Sequence, residues 1–412
     1  MSVETTYSNP SAASVAARWR KLPTILLVVG ALLVLLGLVT ETTRQQLMFS
    51  YLMAYMFVLS LCLGGLFLVL IHHLFDAAWS VPLRRVTEHL SCLLFPVMAI
   101  LWIPIGVFAP KMYPWMQMVH PDHALSAKQS LLNKPTWYAV SVALFLIWGF
   151  LTRSLRKWSL RQDETGSPKC TYAMRFHAAY GIFLFAVTLT LACVLWVKTL
   201  EHEWYSTMYG VYYFAESVWT TLATLYVLMV LLKKAGPLAN VITGRQVHDC
   251  GVLWFAFTVF YAYIHFSQYF IIWNANMPEE TFWYIQRDHG WWKIIGLLII
   301  FGHFFLPFLT LLRIDFKTNF RIMVPLACWA WFMHFCDMSF NVLPVKRPTG
   351  FSWHWLDLAC LAFIAGAAAL AWLIDFAKHP PYPQKDPRMI EALGLHHPQV
   401  SSVVIAKYEG NP

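Results

Sequence analysis

Charge is scarce in this 412-residue sequence, where Asp, Glu, Lys and Arg together supply 12% of positions. A soluble chain carries about twice that share, so a water-facing surface over the whole molecule is excluded. Paired cysteines are also missing. Of the eight, Cys62, Cys92, Cys193, Cys250, Cys328, Cys336 and Cys360 fall within apolar runs, only Cys170 reads as a loop residue, and none forms a C-x-x-C pair. Disulfides, an iron–sulfur cluster and structural zinc therefore lack support. There is no G-x-x-x-x-G-K-[ST] loop and no G-x-G-x-x-G after a strand, so no known nucleotide device is present. No polar stretch is long enough to fold as a separate soluble domain.

What is present is apolar and aromatic, at 58% and 17% of the chain. About 20 apolar residues let a helix cross roughly 30 Å of hydrocarbon. Ten such spans are read near 22–40, 48–72, 86–108, 136–152, 176–198, 211–232, 248–273, 291–312, 322–342 and 353–377. Lipid offers the backbone no partners, and these spans are too long for barrel strands. The fold class is thus an all-α polytopic membrane protein. Residues 1–21 read as an N-terminal segment, 22–377 as one ten-helix membrane domain and 378–412 as a proline-rich tail, extended and lying along a neighbouring subunit. The first span is kept as a membrane helix because no small-x-small cleavage site follows it.

Of thirty Lys and Arg, 21 fall on the side of the two termini and nine opposite, with six of them in 153–175. The positive-inside bias puts both termini of a multi-pass membrane protein in the cytoplasm. The net charge of +9 then expresses this bias. The basic residues form no continuous patch, so nucleic acid is not an expected partner.

Titratable residues at bilayer depth are costly and mark function or pairing. Threaded through ten helices, they separate into two layers. The outer layer holds Glu216, His265, His334, Asp337, His354 and Asp357, with His303 near mid-depth. FMHFCD and WHWLD share the spacing His-x-x-Asp, which puts both groups on one helix face and predicts hydrogen-bonded pairs. An imidazole with a carboxylate partner takes up or releases a proton near neutral pH. The inner layer holds His72, His73, Glu88, His89, His177, His248, Asp249 and Asp375. His303, Tyr261, Tyr263, Ser267 or water would bridge the two layers. Against this stands a plain reading in which helix-end residues reach headgroups and deeper ones bond between helices. Haem is not expected, since His248 and His265 are spaced too widely and no second helix carries a matching pair.

Three stretches carry a resemblance: MYGVYYFAESVWTTLATLYVLMVLL from Met208 to Leu232, HFSQYFIIWNANMPEET from His265 to Thr281, and GHFFLPFLTLLR from Gly302 to Arg313. The chain resembles the ActF-type subunits, the second NrfD-like, quinone-binding membrane subunits of alternative complex III, over nearly its whole length. The resemblance implies two four-helix bundles with flanking helices and membership of a complex that oxidises quinol, often menaquinol. It implies a companion NrfD-like subunit, an iron–sulfur subunit and c-type haem subunits that hold the redox centres. It leaves this chain with quinone or menaquinone as its one candidate cofactor besides lipids, and with a proton pathway. His265 then stands as a quinol ligand or proton exit, with Pro278 ending its helix and Glu279 and Glu280 facing water or a basic partner. Two other classes stay open: a solitary secondary transporter, kept alive by Pro307 and Pro325, and a structural anchor for peripheral redox subunits.

Overall fold

The structure is a computed structural model that describes residues 11–394. Ten long helices stand where ten spans are predicted: α1 Ala12–Gly37, α2 Glu41–Leu74, α3 Ala78–Met112, α4 Lys134–Thr165, α5 Pro168–Trp196, α6 Tyr209–Ala235, α7 Gly244–Ala275, α8 Gly290–Leu312, α9 Phe320–Val342 and α10 Trp355–Lys378. Among the described residues there is no strand, and nine of the ten are long and apolar enough to cross a membrane by length and composition. The chain is therefore an all-α polytopic membrane protein. The remaining helix, α9, is unbroken, but its apolar run is interrupted by polar His334, Asp337, Ser339 and Asn341, all buried.

Local chemistry sets the boundaries. Thr40, Asn133, Ser167 and Asn319 accept hydrogen bonds from the first turns of α2, α4, α5 and α9, and Thr243 with Gln246 forms a capping box on α7. These side chains occupy backbone donors that a helix start leaves free. The region expected as loop 153–175 is almost entirely helix. Only Gly166, at φ 64°, and Ser167 separate α4 from α5, so Arg153, Arg156, Lys157 and Arg161 ride on α4. Cys170, expected in a loop, is buried in the first turn of α5.

α7 ends at Asn276, which takes the left-handed conformation. Pro278 does not stop that helix; it opens the next one, Pro278–Arg287, where a missing N–H costs nothing.

α2 and α6 form the centre, with 83% and 89% of their most apolar stretches buried, whereas α1 has 17%. α2 packs on α3 and α5, with α4 closing that group of four against α3 and α5; α6 packs on α7 and α9, with α8 closing a second group of four against α7 and α9; the groups join along α2 and α6. α1 and α10 pair on the flank against α2. Gly64 permits the central contact, since a Cβ there would stand 2.2 Å from Thr221 Oγ1. Small residues allow membrane helices to approach this closely. Both ends of the described chain lie at one face, termed the terminal face; the opposite one is the far face.

Up to residue 394 the tail packs on its own chain, because its charged groups find partners there. Asp386 pairs with Arg84 with both side chains fully buried, Gln384 N donates to Asp163 at 2.9 Å and Lys385 to the Glu164 carbonyl. Readings for residues 1–10 and 395–412 fall outside the described residues.

Candidate proton-transfer site

Glu216 lies seven residues into α6 and is fully buried. Its Oε1 stands 2.5 Å from His334 Nδ1 on α9. Ser60 donates to the Phe57 carbonyl at 2.7 Å, so the 2.8 Å contact between Ser60 and His334 Nε2 is donated by the ring. Nδ1 is then left to share one proton with Glu216.

The second carboxyl, Asp337, lies beside Glu216, near enough for each to act on the other's charge. Its Oδ1 accepts from the Tyr212 hydroxyl and, at 3.1 Å, from that of Tyr261. Tyr261 has one hydrogen and two acceptors, Asp337 and His265 Nδ1 at 3.2 Å. Tyr212 accepts from Asn341 at 3.2 Å, and Asn341 in turn accepts from Tyr209 at 3.0 Å near the far face. The result is a buried cluster in which Ser60, His334 and Glu216 form one hydrogen-bonded run, Asp337, Tyr212, Tyr261, His265, Asn341 and Tyr209 form another, and the two carboxyls stand side by side.

No Arg or Lys pairs with either carboxyl among the described residues, and Glu216 Oε2 and Asp337 Oδ2 have no hydrogen-bond partner there. Two adjacent carboxyl groups without a fixed cation cannot both carry charge cheaply, so the arrangement suits a shared, transferable proton. His303 adds a third imidazole. It is sandwiched between Trp219 and Tyr261 with ring centroids at 3.8 Å on each side, and its Nε2 lies 4.0 Å from Glu216. A π-helical stretch, Ile299–Phe305, delivers it there; such bulges recur at functional sites.

The expected His-x-x-Asp pairs do not form. His334 turns to Glu216 and Asp337 to the tyrosines. His354 sits before α10 as its cap, accepting from Leu356 N. Asp357 is held by Arg347 through two bonds of 2.9 Å and by Ser50 at 2.5 Å. Equal spacing sets a shared face, but a carboxylate goes to the strongest donor from any helix, and Arg347 is a fork. His354 and Asp357 thus stand apart from the central cluster. Sequence reasoning missed Tyr212, although it lies one turn before Glu216 on the same face, and also missed Arg347 and Ser60.

At the terminal face most inner-layer residues meet, but as ion pairs. Glu88 receives Arg85 and Arg156 at 3.1 Å, Arg84 at 3.2 Å and Ser159 at 2.7 Å. His89 faces Asp375 at 2.5 Å. His72 touches Ser80 at 2.6 Å and Arg388 at 3.2 Å, while His73 is buried without a partner. His248 pairs with Asp249 at 3.3 Å, and His177 bonds only Tyr180, at 2.5 Å. Along α2, Ser60 and His73 are separated by about 20 Å at 1.5 Å per residue. Of the suggested bridges, Tyr261 and His303 belong to the central cluster, whereas Tyr263 is 63% exposed on the outer surface of α7.

Two sets bring metal-capable atoms within 4.8 Å: His89, Asp375 and His379, and Asp122, His202 and Glu203. In the first, Arg156 lies 3.2 Å from His89 and 3.4 Å from Asp375, occupying the place of a cation. A cavity of about 450 Å³ opens near the terminal face among Ile71, His72, Arg84, Leu225, Asp249 and Leu253. An apolar one of about 380 Å³ surrounds Tyr51, Phe108 and Phe363. Neither is lined by Glu216 or Asp337.

No known family description matches the chain, and no curated protein matches it.

Proposed function

We propose that this chain is a membrane subunit of a bacterial quinol-oxidising electron-transfer complex of the alternative complex III type. In this reading it borders quinol, often menaquinol, carries a proton path and holds no redox centre of its own. The three stretches of ActF-type resemblance support the family part of the reading. The companion NrfD-like, iron–sulfur and c-type haem subunits follow from that resemblance, as does a bacterial inner membrane.

The observation that carries the proton part is the cation-free pair of carboxyls joined to His334, Tyr212, Tyr261 and His265. Quinol oxidation releases protons with the electrons, and imidazoles, phenols and carboxyls in hydrogen-bond contact can take them up and pass them on. Asp337→Asn keeps the shape and removes one proton carrier. We expect it to lower proton-coupled turnover about a hundredfold, the low end of what one acid–base group contributes, in a complex that assembles fully. Unchanged turnover in an assembled complex rejects the role.

One observation favours a second reading, a secondary transporter. α3 carries a π-helical stretch at Leu94–Met98, non-helical at Phe95, and α8 a π-helical stretch at Ile299–Phe305, one irregular helix in each group of four, and irregular helices are common around transport sites. Purification from the native membrane decides: co-isolated haem and iron–sulfur subunits favour the complex, and a lone chain favours transport.

A further inference from the structure

At the far face, away from the central cluster, two lysines converge on one ring. Lys128 places Nζ 3.9 Å from the centroid of Tyr205, and Lys198 places its own 5.8 Å from the same centroid, so the two ammonium groups stand under about 10 Å apart. Both approach the tyrosine face in the manner of cation–π contacts. Lys128 also donates to the His202 carbonyl. The Lys198 ammonium makes no hydrogen bond among the described residues, and neither lysine has a carboxylate within 4.0 Å there.

The nearest acids are already occupied or turned to water. Asp122 accepts from His202 Nε2 at 2.7 Å and from Leu125 N at 2.6 Å, and Glu203 is exposed. Burial pushes the Lys198 ammonium down to about 8, with Lys128 pushing the same way. Burial likewise lowers Lys128. Lys198 is thus still largely charged at neutral pH, half-buried, and next to a like charge. Such an arrangement is costly without an anion between the two groups.

Position narrows the anion. Lys198 follows α5 by two residues, which sets it at the level where a spanning helix leaves hydrocarbon. Tyr205, 38% exposed, lies beside it, an amphipathic ring typical of that level. We infer that Lys128, Lys198 and Tyr205 form a binding site for the phosphodiester group of an anionic phospholipid in the leaflet of the far face.

The test uses the purified full chain, or its complex, in mild detergent. Thermal unfolding and native mass spectrometry are read with added mixed micelles of phosphatidylglycerol or phosphatidylcholine, and separately with inorganic phosphate. We expect phosphatidylglycerol to raise the melting temperature and stay bound at about one copy. In Lys128→Gln/Lys198→Gln its affinity should fall about thirtyfold, from roughly one interfacial cation's contribution at each position. Lys198→Arg should retain binding, and Lys346→Gln, which changes an exposed lysine bonded to Gln45, serves as the charge control. Should the double variant unfold, the single Lys198→Gln, with an intermediate loss, replaces it. The site is refuted if the lysine variants bind phosphatidylglycerol as the parent does. The lipid assignment is overturned if inorganic phosphate alone reproduces the stabilisation, or if phosphatidylcholine binds equally.

Discussion

Asp337, Glu88 and Asp357 are all buried carboxyls, yet their neighbours give them different work. Glu88 is ringed by Arg84, Arg85 and Arg156, and Asp357 is gripped by Arg347; both are neutralised by fixed charge. Asp337 and Glu216 have only phenols, imidazoles and each other. Removing one partner of a buried ion pair leaves the other charge uncompensated at about 3 to 5 kcal/mol. Glu88→Gln should therefore lower stability by about 3 kcal/mol, seen as earlier thermal unfolding. Glu216→Gln should leave assembly nearly intact and act on turnover, and equal losses of stability in the two variants would remove the distinction. The sequence made the titratable residues legible, because charge inside an apolar run stands out. It did not disclose their partners. Position along a helix reports depth and face, whereas the pairing of His334 with Glu216 depends on how α6 and α9 are rotated against each other.

At the scale of the element, the long helices were the most legible feature, since a span of apolar residues has one solution in lipid. Helix ends were less so. Gly166–Ser167 is too short a turn to announce itself in a basic stretch, and Asn276 followed by Pro278 reads equally as one stop or as a stop and a restart. The π-helical stretch that carries His303 left no readable sign beyond Gly302 within it and Pro307 just after it. Close contacts between elements depend on small residues: a Cβ at Gly366 of α10 would lie 2.6 Å from Leu27 N of α1. Backbone cannot yield there as a side-chain tip would. Gly366→Leu should push α1 away from α10 at a cost of about 1 to 3 kcal/mol. A disulfide-trapping pair across α1 and α10 would check this, with loss of cross-linking expected in the variant and unchanged cross-linking counting against it.

For the whole molecule, the tail acts as a strap over the terminal face. Asp386 and Arg388 tie it to α2 and α3, Gln384 and Lys385 to α4, and the Ala392 carbonyl accepts from Gln246 of α7 at 2.6 Å. It thereby joins both four-helix groups, a role that a proline-rich composition does not reveal. Burial works to raise the Asp386 carboxyl, but Arg84 and Arg388 outweigh it and hold it down to about 2. Because its folded value lies below the unfolded one near 4, the latch contributes its full stability above about pH 4 and loses it as pH falls through about 2. Protection of the tail from protease should follow that curve at low pH, and Asp386→Asn should open the tail already at neutral pH; a tail equally protected in that variant would show that the ion pair does not hold it.

The central claim is that Glu216 and Asp337 hold a transferable proton between them inside the membrane. Infrared spectroscopy of the purified protein at neutral pH, in H2O and D2O, reads this directly through the C=O stretch of a protonated carboxyl. The account predicts such a band, shifted by deuterium and lost in both Glu216→Gln and Asp337→Asn. A band that survives both substitutions, or no protonated carboxyl at all, would contradict it.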